Sequence, residues 1–227
     1  DKFNRIQDNK FIEDNKELNI IGKEIFENFN LKNNDIKFFI DICAAPGMYS
    51  KIILEEFSKS TGIGVSLPVE KGGVKFEIEN KNYKIFYKDI LEKEYRLELP
   101  KKLDFAISSC VSYVKSKNSF LLNIELILKS LNLILSNLDT DGNLIINMTM
   151  KNINLCYNMI NILEKYFKSY KLWKSESVWN TKNTFYFFGY NFKNEKYDNE
   201  LLKVIEQVKN QNDIMFNFLG NEKEYKD

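Results

Sequence analysis

The run Phe38-Phe39-Ile40-Asp41-Ile42-Cys43-Ala44-Ala45-Pro46-Gly47-Met48-Tyr49-Ser50 constrains the fold of this chain more than any other segment. Its apolar start reads as a buried strand, its small residues as a tight turn, and Met48 onward as the start of a helix. Asp41 falls near the C-terminal end of the strand, where open α/β sheets bind their ligands. Ala44, Ala45 and Gly47 keep the turn low, so that a ligand can approach the backbone. Pro46 fixes one φ angle and removes an N–H that a strand would use. No G-x-G-x-x-G is present and no Gly-Lys-Ser/Thr follows, which excludes a dinucleotide fingerprint and a Walker A loop.

With 227 residues, 44% of them hydrophobic and 29% charged, the chain is expected to fold as one soluble α/β domain over residues 1–227. It opens on Asp1 rather than Met, as an excised domain or a trimmed chain would. The net charge of +1 gives no bulk electrostatic case for nucleic acid, so any RNA contact needs a local basic patch. The chain has no histidine, which excludes a Ser-His-Asp triad, a Cys-His dyad and an H-E-x-x-H zinc site. No metal is called for. Cys43, Cys110 and Cys156 are an odd number and widely spaced, which favours an intracellular, reducing compartment, the cytoplasm before the nucleus. Cys43 and Cys110 read as core residues. No apolar run reaches the length of a membrane span and no signal peptide is visible.

Residues 1–14 read as a loose polar arm and 15–30 as a helix with one buried face. Strands are expected at about 37–43, 61–67, 103–109, 143–150, 171–178 and 185–192. Helices are expected at about 48–59, 118–138, 153–168 and 198–220. Residues 74–78 and 83–87 alternate around Asn80-Lys81-Asn82 like a hairpin, and Asp139-Thr140-Asp141-Gly142 reads as a turn. Strands alternating with helices predict a mainly parallel sheet covered on both faces, closed by an antiparallel strand.

The run from Asp41 to Ser50 resembles motif I of the FtsJ-like family of S-adenosylmethionine-dependent RNA 2′-O-methyltransferases, with Met48 where a second Gly is usual. The resemblance covers roughly residues 18–192. It implies a Rossmann-like methyltransferase fold with seven strands, S-adenosylmethionine as cofactor and RNA as partner, with an mRNA cap among the targets. It also implies a cofactor pocket formed by Asp41, Cys43, Ala44, Ala45, Pro46, Gly47, Tyr49 and Ser50, with Ser66, Asp89 and Asp104 contributing. Ser66 stands where many methyltransferases carry an acid. Asp89 either meets the adenine amino group or is the N-cap of a helix from Ile90 onward, and Tyr49 either caps the pocket or packs.

The family is known for a Lys-Asp-Lys-Glu tetrad, in which a lysine held near carboxylates can act as a base. By resemblance Lys23 and Asp104 supply the first two members, each open to a plain surface or strand-edge role. Asn147 and Thr184 stand at the places of the second lysine and the glutamate. Lys151 and Glu176 are near in sequence, but a four-residue displacement along a strand spans over ~12 Å. Three readings follow: a 2′-O-methyltransferase with a rewired tetrad, a methyltransferase of a base or small molecule, and an inactive scaffold that holds cofactor or RNA. Lysines beside aromatics at 168–174 and 179–182 are candidates for RNA contact or for a solvated sheet edge. Lys71-Gly72-Gly73-Val74-Lys75 has the make-up of a lid or of an idle loop.

Overall fold

Strand β1 (Phe38–Ile42) is buried along its whole length. That is what a nearly unbroken apolar run does in a parallel sheet covered on both faces. The computed structural model describes residues 2–30, 35–92, 95–110, 119–149, 153–178 and 183–193. Around β1 the chain adds α1 (Lys2–Phe29), α2 (Met48–Glu56), β2 (Thr61–Ser66), β3 (Tyr83–Tyr87), β4 (Leu103–Ser108) and α3 (Ser119–Leu135). It continues with β5 (Leu138–Thr149), α4 (Ile153–Tyr166), β6 (Phe167–Trp173) and β7 (Thr184–Phe192). The strands form one seven-stranded sheet in the order β3-β2-β1-β4-β5-β7-β6. β7 runs antiparallel to both β5 and β6, and every other pairing is parallel.

Alternation along the strands sorts the core into two layers. Phe38, Ile40, Ile42, Ala106, Leu144, Ile146 and Phe187 pack with residues of α3 and α4. Phe39, Phe105, Ile107, Ile145 and Phe188 pack on the other face with Ile21, Ile25 and Phe29 of α1 and Ile53 and Leu54 of α2. Helices leaving β1 and β4 therefore go to opposite faces. The topological switch point lies between those two strands, and there an open α/β sheet opens its ligand crevice.

Several expectations are corrected. The helix α1 begins at Lys2, so residues 2–14 are helical in backbone rather than a loose arm. No hairpin forms between 74–78 and 83–87, because β3 pairs in parallel with β2. The connection from β2 to β3 holds only a 3-10 turn at Val69–Lys71 and a strap of irregular backbone at 72–82. Phe76 anchors that strap, its ring stacked on Tyr83 at 5.1 Å. The turn expected at 139–142 lies inside β5, where the pairing with β4 shifts register and Asp141 takes φ 64°. The strand expected at 171–178 starts earlier, at Phe167, directly after α4. The C-terminal helix expected at 198–220 lies outside the described residues.

β1, β2 and β3 approach closely because Gly62 has no side chain. A Cβ there would lie 2.3 Å from Cζ of Phe39 and 2.5 Å from Cδ2 of Tyr83. Both rings are held by their own neighbours, so the methyl group forces a shift. Gly62→Ala is expected to destabilise the fold by about 1–3 kcal/mol, read as a lowered urea midpoint at unchanged m-value.

Candidate functional site

The β1–α2 turn is bound to its neighbours by main-chain bonds. The amides of Cys43 and Ala44 both donate to Val65 O, at 2.8 and 3.1 Å, which ties the turn to β2. Cys43 takes φ 64° and Gly47 φ 114°. At Gly47 a Cβ would meet Cγ1 of Ile78 at 2.6 Å and Cε2 of Phe76 at 2.8 Å. Glycine is thus required there both by conformation and by the close approach of the strap. Glu77 N donates to Pro46 O at 3.0 Å, so the strap holds the turn from the α2 side and leaves Pro46 and Gly47 buried. The expected lid is part of this connection: Gly73 N donates to Pro68 O at 3.0 Å and Lys71 pairs with Glu92 at 3.0 Å.

Beneath the turn lies a carboxyl group with half its hydrogen bonding unmet. Asp41 is 1% exposed. Its Oδ2 accepts from Ser50 Oγ at 2.6 Å, while Oδ1 is buried with no partner. Tyr83 Oη lies 2.7 Å from Ser50 Oγ. Ser50 has one proton and gives it to Asp41, so Tyr83 is the donor in that second bond. Burial raises the Asp41 pKa from 3.8 to about 7, against the opposing bond from Ser50.

A second polar group sits further along the same face, where β4, β5 and β7 meet. Asn147 Nδ2 donates to Ser109 Oγ at 3.3 Å. Asn147 pairs across the sheet with Tyr186, whose hydroxyl meets that of Tyr49 at 2.9 Å. Tyr186 also bonds Ser109, and burial pushes its phenol well above the ordinary value, so it stays neutral. Thr184, level with Thr149 on β5, has a buried Oγ1 without a partner. By register Asn147 and Thr184 fall on the same face of the β5–β7 pair, two positions apart, and Tyr49 reaches that face through Tyr186. Ser109 and Tyr186 are the members that the sequence reading missed.

The Asp104 assignment is corrected. Its Oδ2 accepts the amides of Lys37 and Phe38 at 3.0 and 2.7 Å, at the N-terminal edge of the sheet. Asp41 is level with Ile107. Asp104 is thus about 10 Å from the crevice at ~3.3 Å per residue, and it braces the start of β1. Ser109, one residue past the end of β4, stands at the crevice end of that strand instead.

Lys23 is exposed on α1, next to Gly22, where a Cβ would touch Ile52. Asp89 Oδ1 accepts the Leu91 amide at 2.9 Å, closing a turn at 90–91 where a helix start was the alternative expectation. Ser66 is buried in β2 and brings no carboxylate. Glu176 is exposed, and Lys151 lies outside the described residues. Of the basic and aromatic cluster, Lys168 pairs with Asp141 at 2.6 Å and Tyr170 stacks on Phe187. Positions 179–182 are outside the described residues.

The cysteines also depart from expectation. Cys43 and Cys110 form a disulfide across 67 residues with Cα atoms 5.1 Å apart. Cys156 is a buried thiol whose pKa burial raises to about 11. Among the described residues no group of His, Cys, Asp or Glu could hold a metal ion, and no helix is long and apolar enough to cross a membrane.

One feature of the turn suits the methionine end of an S-adenosyl cofactor: the orphaned Asp41 Oδ1 is a buried polar atom wanting a partner. The backbone above it is covered, since Pro46 and Gly47 are buried and Phe76 and Ile78 pack against Gly47. For the adenosine end the described residues show less, since Ser66 has no carboxylate and one oxygen of Asp89 is committed to its own turn.

Strand order, the antiparallel β7 and the small-residue turn at the switch point define a Rossmann-like methyltransferase fold. The chain belongs to the FtsJ-like methyltransferase family, whose model matches residues 23–192. The fold is similar to that of a ribosomal RNA methyltransferase of Plasmodium falciparum at 18% identity and TM-score 0.59, over 74% of this chain and 93% of that one. It is similar too to the N-methyltransferase NodS of Bradyrhizobium japonicum at 11% identity and TM-score 0.53, over 79% and 99% of the two chains. Among curated proteins none matches the sequence.

Two outcomes check this geometry. Between pH 4 and 7 an unfolded Asp41 is ionised while the native one keeps its proton. The native state then binds more protons, so stability falls as pH rises through that window, by a total on the order of 4 kcal/mol. Asp41→Asn is expected to flatten the pH dependence of the urea midpoint across this range. Asp104→Ala is expected to cost about 1–3 kcal/mol of stability through its two orphaned amides, without changing the affinity for S-adenosylmethionine in calorimetry.

Proposed function

We propose that this chain binds S-adenosylmethionine on the Asp41–Gly47 turn and transfers its methyl group to RNA. The observation that carries the reading is the buried, unpartnered Asp41 Oδ1 under a turn of the family's motif. The name of the Plasmodium falciparum relative supports RNA as the substrate class. When bound, the cofactor supplies an electrophilic methyl group on a sulfonium. Asp41 holds the turn through Ser50 and keeps one oxygen for a further partner. Asn147 and Ser109 can orient a hydroxyl by hydrogen bonds, and neither can take its proton.

The ribose 2′-hydroxyl is the acceptor that the family resemblance favours. Asn147 and Thr184 have no ionisable side chain and Asp104 braces the start of β1, so of the four tetrad positions carried over by resemblance Lys23 is the one left as a candidate. Loss of a general base typically costs about 10²–10⁴-fold, so slow transfer sustained by proximity is expected. A second reading, an inactive scaffold that holds cofactor or RNA, is favoured by one observation. The groups where β4, β5 and β7 meet are neutral and bonded to one another.

Calorimetric titration with S-adenosylmethionine is expected to give saturable binding; no heat and no thermal shift would leave only the scaffold. Tritiated-methyl transfer to capped and uncapped RNA is expected to be slow and to fall about 10²-fold in Lys23→Ala. Transfer at the parental rate in that variant would remove Lys23 from the chemistry.

A further inference from the structure

The disulfide stands at the one place in the sheet where the chain has reason to open. Beyond β1 and β4 the helices α2 and α3 lie on opposite faces, and the strand ends between them are where an open α/β sheet takes its ligand. Cys43 directly follows β1 and Cys110 lies just beyond β4. Their Cα atoms are 5.1 Å apart, close to the ~4.8 Å spacing of paired strands. The bridge therefore extends sheet spacing into the region where the backbones would part. A ligand chain laid between two backbones needs about 7–8 Å, two carbon contacts of ~3.5–4.0 Å each.

The Cys43 and Ala44 amides both bond to β2, while on the β4 side Ser109 N and Cys110 Sγ meet Ile42 O at 3.3 and 3.9 Å. Cys43 is held at φ 64°, a conformation uncommon for a residue with a side chain. Breaking the bridge leaves the turn tied to β2 by two main-chain bonds and removes its covalent tie to the end of β4.

We propose that Cys43–Cys110 is a thiol–disulfide switch that closes the cofactor crevice when oxidised and opens it when reduced. The inference rests on the reading of that turn as the cofactor site. The reductant is a cellular dithiol. Its thiolate attacks Sγ of Cys43, on the half-buried residue of the pair, whereas Cys110 is 3% exposed. The S–S bond breaks and its electron pair leaves on Cys110 Sγ, which takes up a proton. The second thiol of the reductant then displaces Cys43 as a thiol and departs within its own disulfide. Two electrons and two protons pass to the protein for each dithiol oxidised.

The test uses the full chain purified without reductant. Alkylation after denaturation is expected to modify one of its three cysteines, and all three after phosphine treatment. Calorimetry with S-adenosylmethionine is expected to show at least tenfold tighter binding to the reduced protein. Cys110→Ser is expected to bind like the reduced form with or without phosphine. Cys43→Ser is a second locked variant should that one misfold. Three alkylated cysteines at the outset, equal affinities, or tighter binding by the oxidised form would each overturn the switch. Equal affinities would leave the proposed function standing, whereas no binding in any state would remove both.

Discussion

A five-residue strand packed on both faces and flanked by parallel neighbours on both edges leaves its last residues only one direction in which to present chemistry. β1 is that strand, and its burial is what the rest of the molecule is arranged around. Because both faces are apolar, Asp41 enters the interior at a desolvation cost that Ser50 only partly offsets. Because both edges are hydrogen-bonded, the turn must rise off the sheet, through a positive φ at Cys43 and again at Gly47. The polar features of the crevice are consequences of how firmly β1 is held.

The fold was legible wherever a local pattern carried it. The strand, turn and helix at 38–56 follow from apolar run, small residues and helical spacing, all within a few residues of one another. The antiparallel close of the sheet was readable from the alternation in 185–192. What was not legible depended on partners distant in sequence. Residues 74–78 alternate like a strand, yet β3 has its one exposed edge on the far side from β2, and Phe76 gains more by stacking on Tyr83. Asp104 looked catalytic because its level in the sheet cannot be seen without the register that pairs Ile107 with Asp41. The Cys43–Cys110 bond joins residues whose spacing carries no pairing signal, since only the adjacency of β1 and β4 brings them together.

At the site the same division holds. Asn147 and Thr184 were reached by lining up apolar strand runs with the family's tetrad, one near the end of β5 and the other at the start of β7. Ser109 and Tyr186 complete that group by contact alone. The result is a polar cluster of amide, hydroxyls and phenols with no charge, a different electrostatic environment from one built of lysines and carboxylates. Such groups can fix an orientation strongly and move protons poorly.

The missing crossover helix between β2 and β3 has an effect far from the crevice. β3 is left as an outer strand, only partly covered, with a pattern of half-buried and exposed residues. An outer strand is a template for pairing with a second molecule. Lys84 points outward from its middle with its ammonium 4.6 Å above the Phe86 ring. That lysine covers an aromatic surface and places a charge where a foreign strand would have to dock, so the thin side of the sheet carries its own guard against self-association.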